Sequence, residues 1–308
     1  MPTPDPVTAA GEQVIEHGDY TAVLTPVSAG IRLLLHAGTD LVVPYAAGEV
    51  RPSYRGAILA PWPNRVVDGR YGFAGHDYEL ALSEPARQHA LHGLVAWTRF
   101  DAIEHDQRSV IWRHESVAST GYPWSLRIDV AYSLDDDGLT TTVTATNLSD
   151  SPAPYGVAPH PYLRVGDVPI DECELTIPAG RVLEVTPDRL IPTGVADVAG
   201  TRFDFRATRR IGDDQLDHAF TGLADAGDGP VTVRLRAPDG RGVACSWDPV
   251  VLPWVQVHTA DVPGTPANRA GLATEPMSCP PDAFNSGTDL VVLEPGDSHS
   301  ASWTISAD

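Results

Sequence analysis

Glu275 stands in the stretch Leu272 to Asn285, LATEPMSCPPDAFN. Pro276 follows it at once and biases the glutamate's backbone to extended geometry. Pro280, Pro281 and Asp282 then force a turn. The segment is too rich in proline for a helix and too irregular for a plain strand. A carboxylate aimed from stiff backbone suits proton transfer. A surface loop with its glutamate in water would read the same way, so the other reactive residues have to decide.

Four further stretches place such side chains in loops or at strand ends. AILAPWPNRVVDGRY offers Trp62, Asn64 and Arg65 among prolines. An aromatic plane, an amide and a guanidinium are the groups that hold a sugar, by stacking on its C–H faces and hydrogen-bonding its hydroxyls. A buried Trp beside a salt-bridged Arg is the plainer account. QHALHGLVAWTRF carries His89 and His92, three apart, with no carboxylate or third His at ligand spacing, so a metal pair has little support. His92 precedes Gly93, which allows a ligand close approach. PYGVAPHPYLRVG holds His160 between Pro159 and Pro161, away from any helix interior. That placement fits a proton-transfer role as well as it fits a packed strand end. QLDHAF sets Asp217 and His218 at the start of an apolar run. His258 and Asp261 in WVQVHTAD are explained by a core strand running into a turn.

Strands must position these residues. In LRIDVAYSLDDDGLTTTVTATN, Leu126, Ile128, Val130, Tyr132 and Leu134 share one face, and Asp135 to Gly138 makes the turn. Val231 to Leu235 and Val243 to Trp247 form a second hairpin about Pro238-Asp239-Gly240. Val291 to Leu293 and Ser300 to Ile305 repeat the design about Glu294 to Asp297. Val23 to Val27, Ile31 to Leu35 and Leu41 to Tyr45 are earlier strands, after a frayed lead over residues 1 to 12. No segment sustains a helical period, and no linker-like shift divides the chain. One all-β, mostly antiparallel domain over residues 1–308 is the economical organisation.

Composition narrows the chemistry. The net charge is −20, and protonating all 11 His would leave the chain strongly negative, so nucleic acid is a poor partner. All 21 basic residues are Arg. Lysine Schiff bases and a P-loop lysine are therefore excluded. Cys173, Cys245 and Cys279 are far apart and read as reduced thiols of a cytoplasmic protein. The start MPTPDP lacks the features of a signal peptide, and no apolar run is long enough to span a membrane. Motifs for serine hydrolases, zinc peptidases, dinucleotide binding and EF-hands are missing.

Taken in order, Arg65, His92, His160, Asp217 and Glu275 resemble the aldose 1-epimerase (galactose mutarotase) family, from about Ala57 to the C-terminus. Asn64-Arg65, Leu91-His92-Gly93, His160 with Tyr162, Asp217, and Glu275 ahead of Asp282-Ala283 and Asn285 match its motifs. Pro159, Leu163 and Leu94 depart from them, as in a bacterial subgroup. The resemblance implies a large antiparallel β-supersandwich with an open cleft. It implies Glu275 as base and His160 as acid in exchanging the anomers of a free aldose, with no metal or organic cofactor. Arg65, His92, Asp217 and Asn64 would hold the sugar, and Trp62 would stack on it. The chain would be a monomer or homodimer. Phosphorylated or sulfonated sugars are an alternative, for which Arg202, Arg206, Arg209 and Arg210 offer an anion site. A non-catalytic carbohydrate-binding protein is another alternative, as is a glycoside hydrolase, which would need two opposed carboxylates.

Overall fold

The computed structural model describes residues 9–224 and 229–308. Two antiparallel sheets dominate it. The larger has nine strands, ordered Asp101–His105, Ser109–Glu115, Leu126–Asp135, Gly138–Asn147, Ser298–Ala307, Gly242–Trp247, Val231–Arg236, Glu174–Thr176 and Arg209–Arg210. The second has six, ordered Tyr162–Leu163, Leu272–Met277, Trp254–His258, Asp217–Leu223, Ala179–Val185 and Pro192–Asp197. A four-stranded sheet from Gln13 to Asp40 joins them.

Period-two patterning builds the larger sheet. Leu139, Val143 and Ala145 turn inward beside Ala301, Trp303 and Ile305 of the partner strand. The opposite face carries a ladder of hydroxyl pairs, Thr140–Thr304, Thr142–Ser302, Thr144–Ser300 and Thr146–Ser298. Such cross-strand pairs fix register on a solvated face.

The six-stranded sheet alternates too, but neither of its faces is simply wet. Leu272, Val255, Val257, Phe220 and Val182 join the cluster that also takes in Val243, Trp303 and Ile305 of the larger sheet. The other face carries Met277, Trp254, Ala219 and Leu183. Between these apolar residues, and in the same phase of the alternation, stand Glu275, Gln256, His258 and Asp217.

The structure refines several expectations. The two sequence hairpins form with the expected turns. The C-terminal one does not: Val291–Leu293 pairs with Ala153–Tyr155, and Ser298–Ala307 crosses into the nine-stranded sheet. The turn bond from Asp297 N–H to the Glu294 carbonyl is made, at 2.9 Å, but it redirects the chain between sheets. Leu41 to Tyr45 lies after the short Thr39–Asp40 strand, not in one. Of the N-terminal lead, residues 1–8 lie outside the described residues. Glu12 is anchored rather than frayed, accepting from Arg32 Nε at 2.7 Å with both side chains buried.

The Glu275 segment is itself a strand, Leu272–Met277, paired along its length with Trp254–His258. Pro276 is tolerated because of where its nitrogen points. Thr274 and Ser278 donate their N–H groups to the carbonyls of Pro161 and Val157, away from Trp254–His258. Pro276, midway between them, has the same orientation. Its missing N–H therefore removes nothing from the ladder that holds Glu275.

Gly93 holds the His92 loop against Ala60. A Cβ added there would lie 2.1 Å from the Ala60 carbonyl oxygen, on backbone at φ +72°. Both the clash and the left-handed conformation oppose any side chain. Gly93→Ala is expected to destabilise the protein by roughly 3 kcal/mol, read as a lowered midpoint in urea unfolding. An unchanged midpoint would mean that the loop moves freely off Ala60.

Candidate active site

Each sequence-derived residue has a distinct structural support. Arg65 begins the strand Arg65–Val67, which pairs with His89–Leu91. Asn64 and His92 both adopt left-handed backbone, at φ 52° and 62°, and the His92 N–H closes on the Asn64 carbonyl at 2.8 Å. His160 is clamped through its main chain. Its N–H donates to Ala57, and its carbonyl accepts from Gly56. Asp217 opens the strand Asp217–Leu223 opposite His258.

These supports bring Asn64, Arg65, His92, His160, Asp217 and Glu275 to one cavity of about 250 Å³. His160 Nε2 lies 3.4 Å from Glu275 Oε1, and both side chains are almost fully buried. Burial is the main influence on each. It pushes the His160 imidazolium down to about 3, aided by the charge of His258. It pushes the Glu275 carboxyl well above the usual range, with Asp217 adding to the rise and Arg65 opposing it. Both shifts favour the neutral groups, a protonated Glu275 beside an unprotonated His160. His92 is likewise held well below the usual imidazole range, by burial first and then by His160 and Arg65.

Arg65 is fixed by a carboxylate absent from the sequence-derived set. Its Nε and Nη2 donate to the two oxygens of Glu84 at 2.7 and 3.0 Å, and Nη1 donates to Asn64 Oδ1 at 3.2 Å. Burial pulls the guanidinium pKa down, but the Glu84 bonds and the Asp217 charge outweigh it, so Arg65 stays charged. Gln256 was also missed. It lies directly across from Glu275, donates from Nε2 to Asp217 Oδ1 at 2.7 Å, and lines the cavity. Its signal was a polar residue in phase with His258 inside the buried strand WVQVH. His258 and Asp261, which a core strand and turn had seemed to explain, line the cavity as well. Tyr54 completes a wall, 4.7 Å from the His92 ring and 6.2 Å from that of His160. It follows Ser53 on two successive left-handed residues, a strained arrangement typical of functional sites. No composition cue marked it.

Trp62 is a correction. Its indole is 3% exposed and packs edge-on against Phe284 within the core, with Nε1 donating to the Ala90 carbonyl. It does not line the cavity. Tyr54 rather than Trp62 is the aromatic face at the site. His89 uses both ring nitrogens on main chain, with the Asp68 N–H and the Arg189 carbonyl, which leaves none for a metal. The arginine cluster is dispersed. Arg206 pairs with Asp204, Arg209 with Asp214, and Arg210 donates to the Asp171 carbonyl. Among the described residues no helix is long and apolar enough to cross a membrane.

Residues that line the cavity carry buried polar atoms with no protein partner, among them Glu275 Oε2, Gln256 Oε1 and His92 Nδ1. Buried atoms of this kind are normally paired. Gathered with a fixed guanidinium and the His160–Glu275 pair, they fit a small polyhydroxylated molecule whose hydroxyls both donate and accept.

Comparison with known proteins agrees with this class of site. The family described as Aldose 1-epimerase matches residues 14–306. The uncharacterized protein YihR of Escherichia coli K12 is 36% identical over 289 residues, covering 94% of this chain and 90% of that protein. Mouse galactose mutarotase is 30% identical over 198 residues, 60% of this chain and 56% of that one. Among solved structures, a GalM/aldose epimerase homologue from C. elegans superposes with a TM-score of 0.85 at 21% identity, covering 96% and 99% of the two chains. A putative aldose 1-epimerase from E. coli K12 gives 0.81 at 22% identity, with 96% and 98% covered. The chain belongs to the aldose 1-epimerase family, with the galactose mutarotase-like all-β fold. It is an isomerase of that class.

A fully buried carboxyl contributes little to folding. Glu275→Gln keeps the shape and removes the desolvation penalty. It is expected to leave stability unchanged or raise it by about 1 kcal/mol, read as an equal or higher Tm. A loss of more than about 2 kcal/mol would mean that the carboxylate is needed for the fold itself.

Proposed function

We propose that this protein interconverts the α and β anomers of a free hexose or related aldose, with Glu275 and His160 as its acid–base pair. The observation that carries the reading is the 3.4 Å approach of His160 Nε2 to Glu275 Oε1 on the floor of a polar cavity. Ring opening requires that the O1 proton leave and that the ring oxygen gain one. Glu275 as carboxylate takes the first, and His160 as imidazolium gives the second. Opening the ring thus converts an ion pair into a neutral pair, which is the form that burial favours. After rotation about C1–C2 the same transfers run backwards on the other face. Arg65 and His92 bind hydroxyls on one side of the ring, with Asn64 helping to hold Arg65. Asp217, oriented by Gln256, accepts from hydroxyls on the other.

Glu275→Gln and His160→Gln are each expected to lower kcat by about 10²–10⁴-fold, followed by polarimetry of a freshly dissolved α-sugar. A wild-type rate in either variant removes that residue from the pair.

The pH dependence follows from the directions of the two shifts. The one-proton state lies between the depressed pKa of His160, about 3, and the raised pKa of Glu275. The enzymatic rate, corrected for the spontaneous reaction, should therefore fall on the alkaline side as the pair loses its proton. On the acid side it should fall only near the lower value, when a second proton is bound. A corrected rate that climbs steadily through the alkaline range contradicts an acid–base pair.

A further inference from the structure

We infer that Tyr54 is a positioning residue for proton transfer, its ring covering the His160–Glu275 pair and keeping water from it. The inference rests on the acid–base reading above. Tyr54 belongs to a short loop, Arg51 to Gly56, that lies outside both large sheets. The centroid of its ring is 4.7 Å from that of His92, and His92 is 5.0 Å from His160, edge-on in each case. Tyr54 is also 6.2 Å from His160 and within 26° of parallel to it. All three separations fall in the range of about 4.5–7 Å for paired rings, so the three rings close a triangle. Tyr162 lies roughly parallel to the imidazole as well, at 5.1 Å, but from a buried strand. Of these four rings, only that of Tyr54 is on a partly exposed residue, so it is the one between His160 and solvent.

The fold holds Tyr54 there against its backbone preference. Ser53 and Tyr54 are both left-handed, at φ 49° and 58°. Glycine or asparagine would take up that backbone at less cost. Main-chain bonds nonetheless lock the loop to the pair. The Ala57 N–H donates to the Tyr54 carbonyl at 3.0 Å, and the Ala57 carbonyl accepts from the His160 N–H at 2.9 Å. Behind the ring stands Trp97, 5.5 Å away, with the Arg51 guanidinium 4.8 Å over its face. Arg51 is itself fixed by the carbonyls of Val27 and Ala96. A large ring kept on strained backbone and braced from behind marks a functional position.

Water at the pair would solvate its charged forms. His160 would then accept a second proton more readily, and Glu275 would lose its proton more readily. The other groups that face His160 are Glu275, His92, His258 and Arg51, and both His258 and Arg51 oppose a positive charge on it. Arg65 and Asp217 act on the pair through Glu275. His92, His258 and Arg51 are held by main-chain bonds that do not involve Tyr54. A changed titration on replacing Tyr54 therefore reports the entry of water.

The test compares Tyr54→Phe and Tyr54→Asn with wild type. It reads the pH dependence of kcat for anomer exchange of glucose, galactose, mannose and xylose, and the NMR titration of the His160 ring. Phe keeps the ring and should reproduce wild type. Asn accepts left-handed backbone and removes the ring. It should lower kcat about tenfold, part of what a positioned acid–base pair supplies. Its pH profile should narrow from both sides, the acid limb moving up and the alkaline limb down. The His160 ring signal, assigned by its loss in His160→Gln, should titrate above the wild-type value of about 3, toward the ordinary imidazole value of about 6.5. The unfolding midpoint should stay close to that of wild type, since relieved strain offsets lost packing. A higher KM with both limbs unmoved assigns Tyr54 to sugar stacking and overturns the inference. A Phe variant as slow as the Asn variant assigns the effect to the hydroxyl and overturns it too. So does a steep fall in the midpoint with an unmoved His160 titration. Each of these leaves the acid–base reading standing, whereas a wild-type rate in His160→Gln, or exchange of none of the sugars, removes both.

Discussion

The arrangement depends on the burial of two ionisable groups against each other. A carboxyl and an imidazole taken out of water each lose hydration, and each alone would be driven neutral. At 3.4 Å they can instead exchange one proton. Neither partner is free to leave, because each is set on rigid backbone. Glu275 sits mid-strand in a sheet paired along its length, and His160 is bonded through its own N–H and carbonyl to Ala57 and Gly56. On the proposed reading, the desolvation that favours the neutral pair also favours the proton transfers that open the ring.

The charges around the pair are arranged to preserve that balance. Arg65 opposes the burial of the Glu275 carboxylate but is itself held in a two-pronged bond by Glu84. An unanchored guanidinium at this depth could swing onto Glu275 and fix it as a permanent anion. Glu84 keeps Arg65 aimed at the cavity while sharing its charge. Gln256 does the same for Asp217 with a neutral donor. Arg65 and Asp217 thus line the cavity without collapsing onto the His160–Glu275 pair.

Much of this was legible in the sequence, because the relevant constraints are local. The hairpin at Leu126 to Asn147 follows from strict alternation and a turn of three aspartates and a glycine. His160 and Glu275 were marked by flanking prolines, which fix backbone direction whatever the tertiary context. The misreadings come from information that is not local. Pro276 looked incompatible with a plain strand because the direction in which its nitrogen points depends on which neighbour lies on that side. Val291 to Leu293 and Ser298 to Ala307 looked like a hairpin, but the choice between pairing together and joining separate sheets is made by partners more than a hundred residues away. Trp62 has the composition of a sugar platform, yet Phe284 and Tyr122 offered it a core position.

The residues that sequence reasoning missed share a physical character. Glu84, Gln256 and Tyr54 are positioning groups whose meaning lies in the neighbour they touch. A glutamate three residues before an arginine reads as a surface pair, and Glu84 does bond Arg87. Its other bond, to Arg65, exists because the strands Arg65–Val67 and His89–Leu91 are paired. Gln256 is an interior polar residue until the register sets it opposite Glu275 and within reach of Asp217. Register is therefore the quantity that turns a set of plausible side chains into a site. In an alternating sheet it also has little tolerance: a slip of one residue in Trp254–His258 would send Gln256 and His258 into the core and bring Val255 and Val257 to the cavity. The apolar alternation that stabilises the sheet is thus the same constraint that keeps the polar row in place.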